Sequence, residues 1–158
     1  MGYLYDIGRY KLRFESKLAH SDDIKECLLG KDYDEEMVDD LLDEHIFSYL
    51  YVPDTQTETK SYICFDIRVP RVPNDYIKDM ELIIYVFVHK DKMKYTKAGY
   101  IGNRCDALAD MIDTAIANAP ATDFGIGSLR LSSIDIYQVG TEYYGRVMKY
   151  TCSDFYKK

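Results

Sequence analysis

Met80–Lys90 reads MELIIYVFVHK. Leu82, Ile83, Ile84, Val86, Phe87 and Val88 leave neither side of an extended chain polar, and β-branched and aromatic residues dominate. That composition suits a central strand covered above and below rather than an amphipathic helix. A central strand needs neighbours, and one lies just upstream. Ser61–Pro70, SYICFDIRVP, alternates Ile63, Phe65, Ile67 and Val69 with Tyr62, Cys64, Asp66 and Arg68, the period of a half-buried strand. Pro70, Pro73 and Asn74 turn the chain between the two segments, so their simplest pairing is antiparallel.

Working outward, DKMKYTKAGYIGN is a charged, glycine-containing loop, and a helix follows from Arg104 to Asn118. Cys105, Leu108, Ile112, Ala115 and Ile116 form its apolar stripe, Asp106, Asp110 and Asp113 a second stripe, and Pro120 ends it. LRLSSIDIYQV and YYGRVMKYTC then flank Gly140, Thr141 and Glu142, a short connection that predicts a hairpin. In the last strand Tyr144, Arg146, Met148, Tyr150 and Cys152 share one face, which Met148 and Cys152 mark as the core side, with Arg146 and the tyrosines reaching its rim. Tyr143, Gly145, Val147, Lys149 and Thr151 share the other, left for solvent or a neighbour.

Upstream of the first strand, HSDDIKECLLG carries a capping residue at Ser21 or Asp22 and a stop at Gly30. DYDEEMVDDLLDEHIFSYL predicts a second, longer helix with Met37, Val38, Leu41, Leu42 and His45 or Ile46 on one face. Tyr3–Leu18 has an ambiguous period, and residues 1–20 read as an arm or an edge strand. The expected order is α-α-β-β-α-β-β: a single α+β domain over residues 1–158, with a mainly antiparallel sheet of at least four strands and helices packed on it.

The chain of 158 residues has a net charge of −7, unevenly spread. Residues 21–58 hold 13 acids and 2 bases, and the remainder 14 acids and 18 bases. An acidic segment repels phosphate and the remainder is far from a basic stripe, so dedicated DNA binding is not expected. The acidic run reads as a solvated face or as a contact for a basic partner. Sixteen tyrosines and no tryptophan suit half-buried sheets and interfaces. Cys27, Cys64, Cys105 and Cys152 lack metal-knuckle or redox spacing, and the first three lie among apolar neighbours as buried thiols. No run approaches a membrane span, and the opening residues lack the apolar core of a signal peptide, so neither membrane nor export is expected.

No catalytic set emerges. GIGSLR, Gly125–Arg130, precedes a strand rather than opening a helix and is not a dinucleotide fingerprint. Asp40, Glu44 and His45 tempt a metal reading, but His45 falls about a hundred degrees around a helix from Glu44, and a solvated acidic face is the better account. His89 reads as a neutral, hydrogen-bonded histidine at a strand end. Asp54, Glu58 and Lys60 in PDTQTETK resemble the PD-(D/E)xK nuclease motif of Mg²⁺-dependent enzymes. An extended chain would hold the two acids roughly 13 Å apart, too far to share one ion. No cofactor or metal is expected.

Tyr143, Gly145, Arg146, Tyr150, Asp154 and Phe155 spell Y-x-G-R-x-x-x-Y…D-F at the end of the final hairpin. With the element order from Asp34 onward, this pattern resembles the phage tail terminator, or tail completion, proteins of the head–tail neck. The resemblance implies a non-catalytic structural protein forming a ring, commonly a hexamer, on the last ring of the tail tube. Its partners would be itself, the tube and head-connector proteins, with DNA passing unbound and the protein residing in the virion tail or neck. Tyr143, Tyr144, Arg146, Lys149 and Phe155 are then the expected subunit-interface residues. Another neck or tail component of similar build is the alternative.

Overall fold

A computed structural model describes residues 4–51, 59–120 and 123–157. The elements run α1 Tyr5–Ala19, α2 Asp22–Leu29, α3 Glu35–Asp39, α4 Leu41–Glu44, β1 Ile46–Phe47, β2 Ser61–Arg71 and β3 Ile77–His89. A 3-10 turn at Lys90–Lys92 leads through a loop to α5 Arg104–Ala117, β4 Ile126–Val139 and β5 Tyr143–Phe155. The strands form one five-stranded sheet in the order β1-β2-β3-β5-β4. The architecture is α+β, and every pairing is antiparallel except the two-residue parallel contact of β1 with β2.

The segment that opened the reading is the middle strand. β3 pairs with β2 from Ser61↔Val88 to Arg71↔Asp79, and with β5 from Ile77↔Phe155 to His89↔Tyr143. One side of it, Met80, Leu82, Ile84, Val86 and Val88, meets Phe14, Leu18, Ile24, Leu41, Leu108, Ile112 and Ile116 from the helices in the main core. β5 presents Met148 and Tyr150 to that core with Tyr144 and Cys152 at its margin, the face anticipated from alternation. The helix expected from Arg104 forms, capped by a reciprocal pair in which Asn103 and Asp106 side chains accept each other's backbone N–H. Ser21 caps α2, and Gly30 ends it at φ 101°, a conformation L side chains rarely adopt.

Two upstream expectations are corrected. Tyr3–Leu18, read as an arm or an edge strand, forms the 15-residue α1 from Tyr5 onward. Tyr10, Phe14 and Leu18 recur every four residues and are buried; Leu4, Tyr5 and Leu12 on the outer side are exposed and obscure that period. The single long helix expected over Asp32–Leu50 is instead α3, a break at Asp40, α4 and the strand β1. Like charges four apart, Glu35/Asp39, Glu36/Asp40, Asp39/Asp43 and Asp40/Glu44, work against a continuous helix there. Ile46 and Phe47 gain more from pairing with Ile63 and Cys64 than from another helical turn.

Among the described residues no helix is long and apolar enough to cross a membrane.

Candidate assembly surface

The sheet is clothed by helices on one side. On the other side a second buried cluster consists of Tyr62, Cys64, Phe87 and Tyr143, flanked by Phe47, Tyr85 and Tyr137, and takes no residue from a helix. Its rings interlock: Tyr62 and Tyr143 are 5.9 Å apart, Phe47 and Tyr51 stack at 4.5 Å, and His89 meets Tyr143 edge-on at 5.3 Å. Below this cluster the face opens. Ile83, Val147, Lys149 and Thr151 are half-buried, and Phe155 is 47% exposed. Arg68 faces Glu81 at 3.7 Å and Arg71 faces Asp79 at 3.8 Å.

The six residues of the hairpin pattern divide by alternation, and five do structural work. Tyr143 is only 2% exposed, inside the aromatic cluster. It offers a neighbour no surface, contrary to the expectation that its face would be open, because the chain at Phe47–Tyr51 contributes rings to that end of the sheet. Gly145 lies beneath Phe87 and Tyr137; a Cβ there would come within 2.4 Å of the Val86 carbonyl oxygen and 2.9 Å of the Phe87 ring. Arg146 Nε and Nη2 donate to Asp106 Oδ1 at 3.0 and 2.8 Å, which raises the guanidinium pKa still further. Tyr150 donates to Asp113 Oδ1 at 2.6 Å, and burial, then that carboxylate, push its phenol far above the ordinary range. The acidic stripe of α5, visible in the sequence, is thus the docking strip for β5.

Asp154 holds the third tie. Lys78, fully buried and directly opposite it in the sheet, donates to Asp154 Oδ2 at 2.9 Å and to the Phe155 carbonyl at 2.6 Å. Tyr10 of α1 donates to the same Oδ2 at 3.0 Å. Burial, and next that bond, push the Tyr10 phenol up to about 12. No sequence signal short of the pairing register would have brought Tyr10, Lys78 and Asp154 together.

The expected interface residues therefore do not form one patch. Lys149 and Phe155 share the open face, Tyr144 and Arg146 turn toward the helices, and Tyr143 is enclosed. Alternation alone missed another exposed group, Leu131, Ile134 and Ile136 on β4, which are 44%, 49% and 62% exposed.

The residues weighed for chemistry hold structural bonds. His45 Nδ1 donates to the Ser61 carbonyl at 2.8 Å, and Glu44 accepts from Lys60 at 3.2 Å. Asp40 is an exposed residue at the junction of α3 and α4. Asp54 and Glu58 of the nuclease-like motif lie outside the described residues. His89 is buried and its Nδ1 accepts the Asp91 N–H at 3.1 Å, which leaves that nitrogen unprotonated. Burial raises all four free thiols: Cys64 and Cys152 to about 11, Cys105 to about 12, and Cys27 in the same direction. Among the described residues no three His, Cys, Asp or Glu side chains are placed to share a metal ion.

No curated protein matches the chain. The family model YomW matches residues 21–152, from the cap of α2 to Cys152 near the end of β5, and leaves α1 and Asp154 outside. That span covers most of the sheet-and-helix framework described above, and the chain belongs to the phage-associated YomW family.

Proposed function

We propose that this protein is a non-catalytic structural component of a phage or phage-like tail, a terminator whose ring caps the tail tube and joins it to the head. The observation that carries the reading is the sheet face opposite the helices. Beside its buried aromatic cluster it is half-exposed from Ile83 to Phe155, where Ile83, Val147 and Phe155 stand among Arg68, Glu81, Lys149 and Thr151, and it is free of helical cover among the described residues, a mixed surface suited to a subunit neighbour. The phage association of the family and the hairpin pattern support it. The internal bonds of Arg146, Asp154 and His45 and the burial of the thiols fit a structural role for these residues.

Neighbours in a ring meet through different faces. The open sheet face supplies one. The exposed acids of α3 and α4, Glu35, Glu36, Asp39, Asp40, Asp43 and Glu44, supply a surface that DNA phosphates would pass without binding.

The test uses purified protein with polymerised tail-tube protein, read by negative-stain microscopy. Rings at tube ends, together with arrested tube growth, are expected. The double variant Lys149→Glu/Phe155→Ser should keep the wild-type melting temperature within a few degrees and lose ring formation. Tubes that keep growing, with no rings on their ends, would overturn the proposal.

A further inference from the structure

β4 is a sheet edge of 14 residues, and from Leu131 to Ile136 every side chain is exposed. Long apolar edges are templates for another strand, and proteins ordinarily guard them with lysine, proline or a covering segment. The opposite edge is guarded in this way. β1 covers Ile63 and Cys64, Lys11 reaches from α1 to Asp66 at 2.7 Å, and Pro70 removes a donor. Leu129–Ile136 has no lysine, no proline and no cover among the described residues.

The sequence of this edge is self-complementary. LRLSSIDI, Leu129–Ile136, reads outward from its Ser132–Ser133 centre as apolar, charged, apolar in both directions, with Arg130 on one arm and Asp135 on the other. We propose that β4 pairs with β4 of a second copy about this centre, antiparallel, joining two five-stranded sheets into one.

Three features agree on that register. The first is charge: Arg130 falls opposite Asp135 of the second copy, twice by symmetry, and both side chains are exposed. The second is the side-chain face. Ile134 and Ile136 stand opposite Met148 and Arg146, on the helix side of the sheet, and Leu131 stands opposite Tyr150 on the same side. Leu131 meets Ile134 and Leu129 meets Ile136 across the two-fold, so apolar groups meet apolar groups on one face. Arg130 and Asp135, opposite Thr151 and Val147, meet on the other.

The third is backbone parity. The Ile136 N–H takes Asp135 Oδ1 at 2.9 Å, so it points away from β5, as does that of Ile134 by alternation. The irregularity between Leu131 and Ser133 shifts the phase by one, so Leu131 points outward on the other arm. Outward residues therefore oppose outward residues, the condition for antiparallel hydrogen bonding. Without that shift the faces and the hydrogen bonds would fall out of step. The bulge, commonly an edge guard, here makes the edge symmetric. Pairing frees the Asp135 carboxylate from its own backbone to meet the arginine opposite.

This contact closes at two copies and is separate from a head-to-tail ring; where rings form, it would join two of them. The test is solution mass by light scattering on Arg130→Asp, on Asp135→Arg, and on their mixture. Each single variant places like charges opposite each other and should halve the particle mass, with circular dichroism and melting temperature unchanged. Mixing them sets two acids against two bases and should restore the wild-type mass. A wild-type mass indifferent to both substitutions, or a mixture that fails to reassemble, overturns the proposal. Whether the halved particle is one chain or a ring reports separately on the ring reading.

Discussion

Gly145 and Tyr143 are neighbours but one in a strand, and their roles depend on each other. The missing side chain at Gly145 lets Phe87 and Tyr137 close to 5.6 Å above it, and this brings the aromatic cluster together around Tyr143. Gly145→Ala should destabilise the protein by about 1–3 kcal/mol, because the Val86 carbonyl cannot retreat without disturbing the β3–β5 ladder. Urea denaturation measures it, and a neutral result would mean the rings are not seated on the glycine. The alternation of β5 is legible in the sequence and gives the right core face, with Met148 in the core, but Tyr150, expected at the rim, is buried, and Cys152, expected in the core, lies at the margin. The burial of Tyr143 was not legible. Its ring meets Tyr62 and His89, and Phe47 and Tyr51 pack in turn on Tyr62 from a distant segment whose sequence reads as the end of a helix and the start of a loop.

At the scale of elements, strands were easier to read than the first helices. β2 and β3 carry their partners' signals within themselves, whereas α1 buries three apolar residues, Tyr10, Phe14 and Leu18, and leaves Tyr5, Leu12 and the preceding Leu4 outside, so its apolar content points both ways. The docking of β5 against α5 was half legible: the Asp106, Asp110 and Asp113 stripe was visible, and the strand residues that answer it were not. The buried groups at these element junctions set a pH dependence. The Tyr10 phenol titrates near 12 in the fold and near 10 when unfolded, so its contribution is intact below pH 10 and lost as pH rises toward 12. The buried thiols act with the same sign from about pH 9 upward. Unfolding free energy should therefore fall between pH 9 and 12, and Tyr10→Phe should flatten the upper part of that fall in a urea series. A slope unchanged by the substitution would remove Tyr10 as a contributor.

For the whole molecule, the deciding contact is the buried group of Lys78, Asp154 and Tyr10, where the middle strand, the last strand and the first helix meet. Removing one charge strands the other in the interior, so Lys78→Met or Asp154→Leu should each cost about 3–5 kcal/mol. The triple variant Tyr10→Phe/Lys78→Met/Asp154→Leu removes both charges and the phenol together, leaves only the Phe155 carbonyl without its lysine donor, and should recover most of that loss. Equal destabilisation of the single and triple variants, measured by chemical denaturation, would show that packing rather than charge holds the site. The same meeting point orders events in time. Tyr10 and Asp154 are 144 positions apart, so the helix synthesised first waits for the strand synthesised last before its hydroxyl finds an acceptor. Long-range closures of this kind are slow. In a growing chain the apolar side of α1 can already lie on Phe65 of β2 and on Phe124 while the Tyr10 hydroxyl still lacks Asp154, so the nascent protein passes through a stage in which the helix is seated and its polar latch is open.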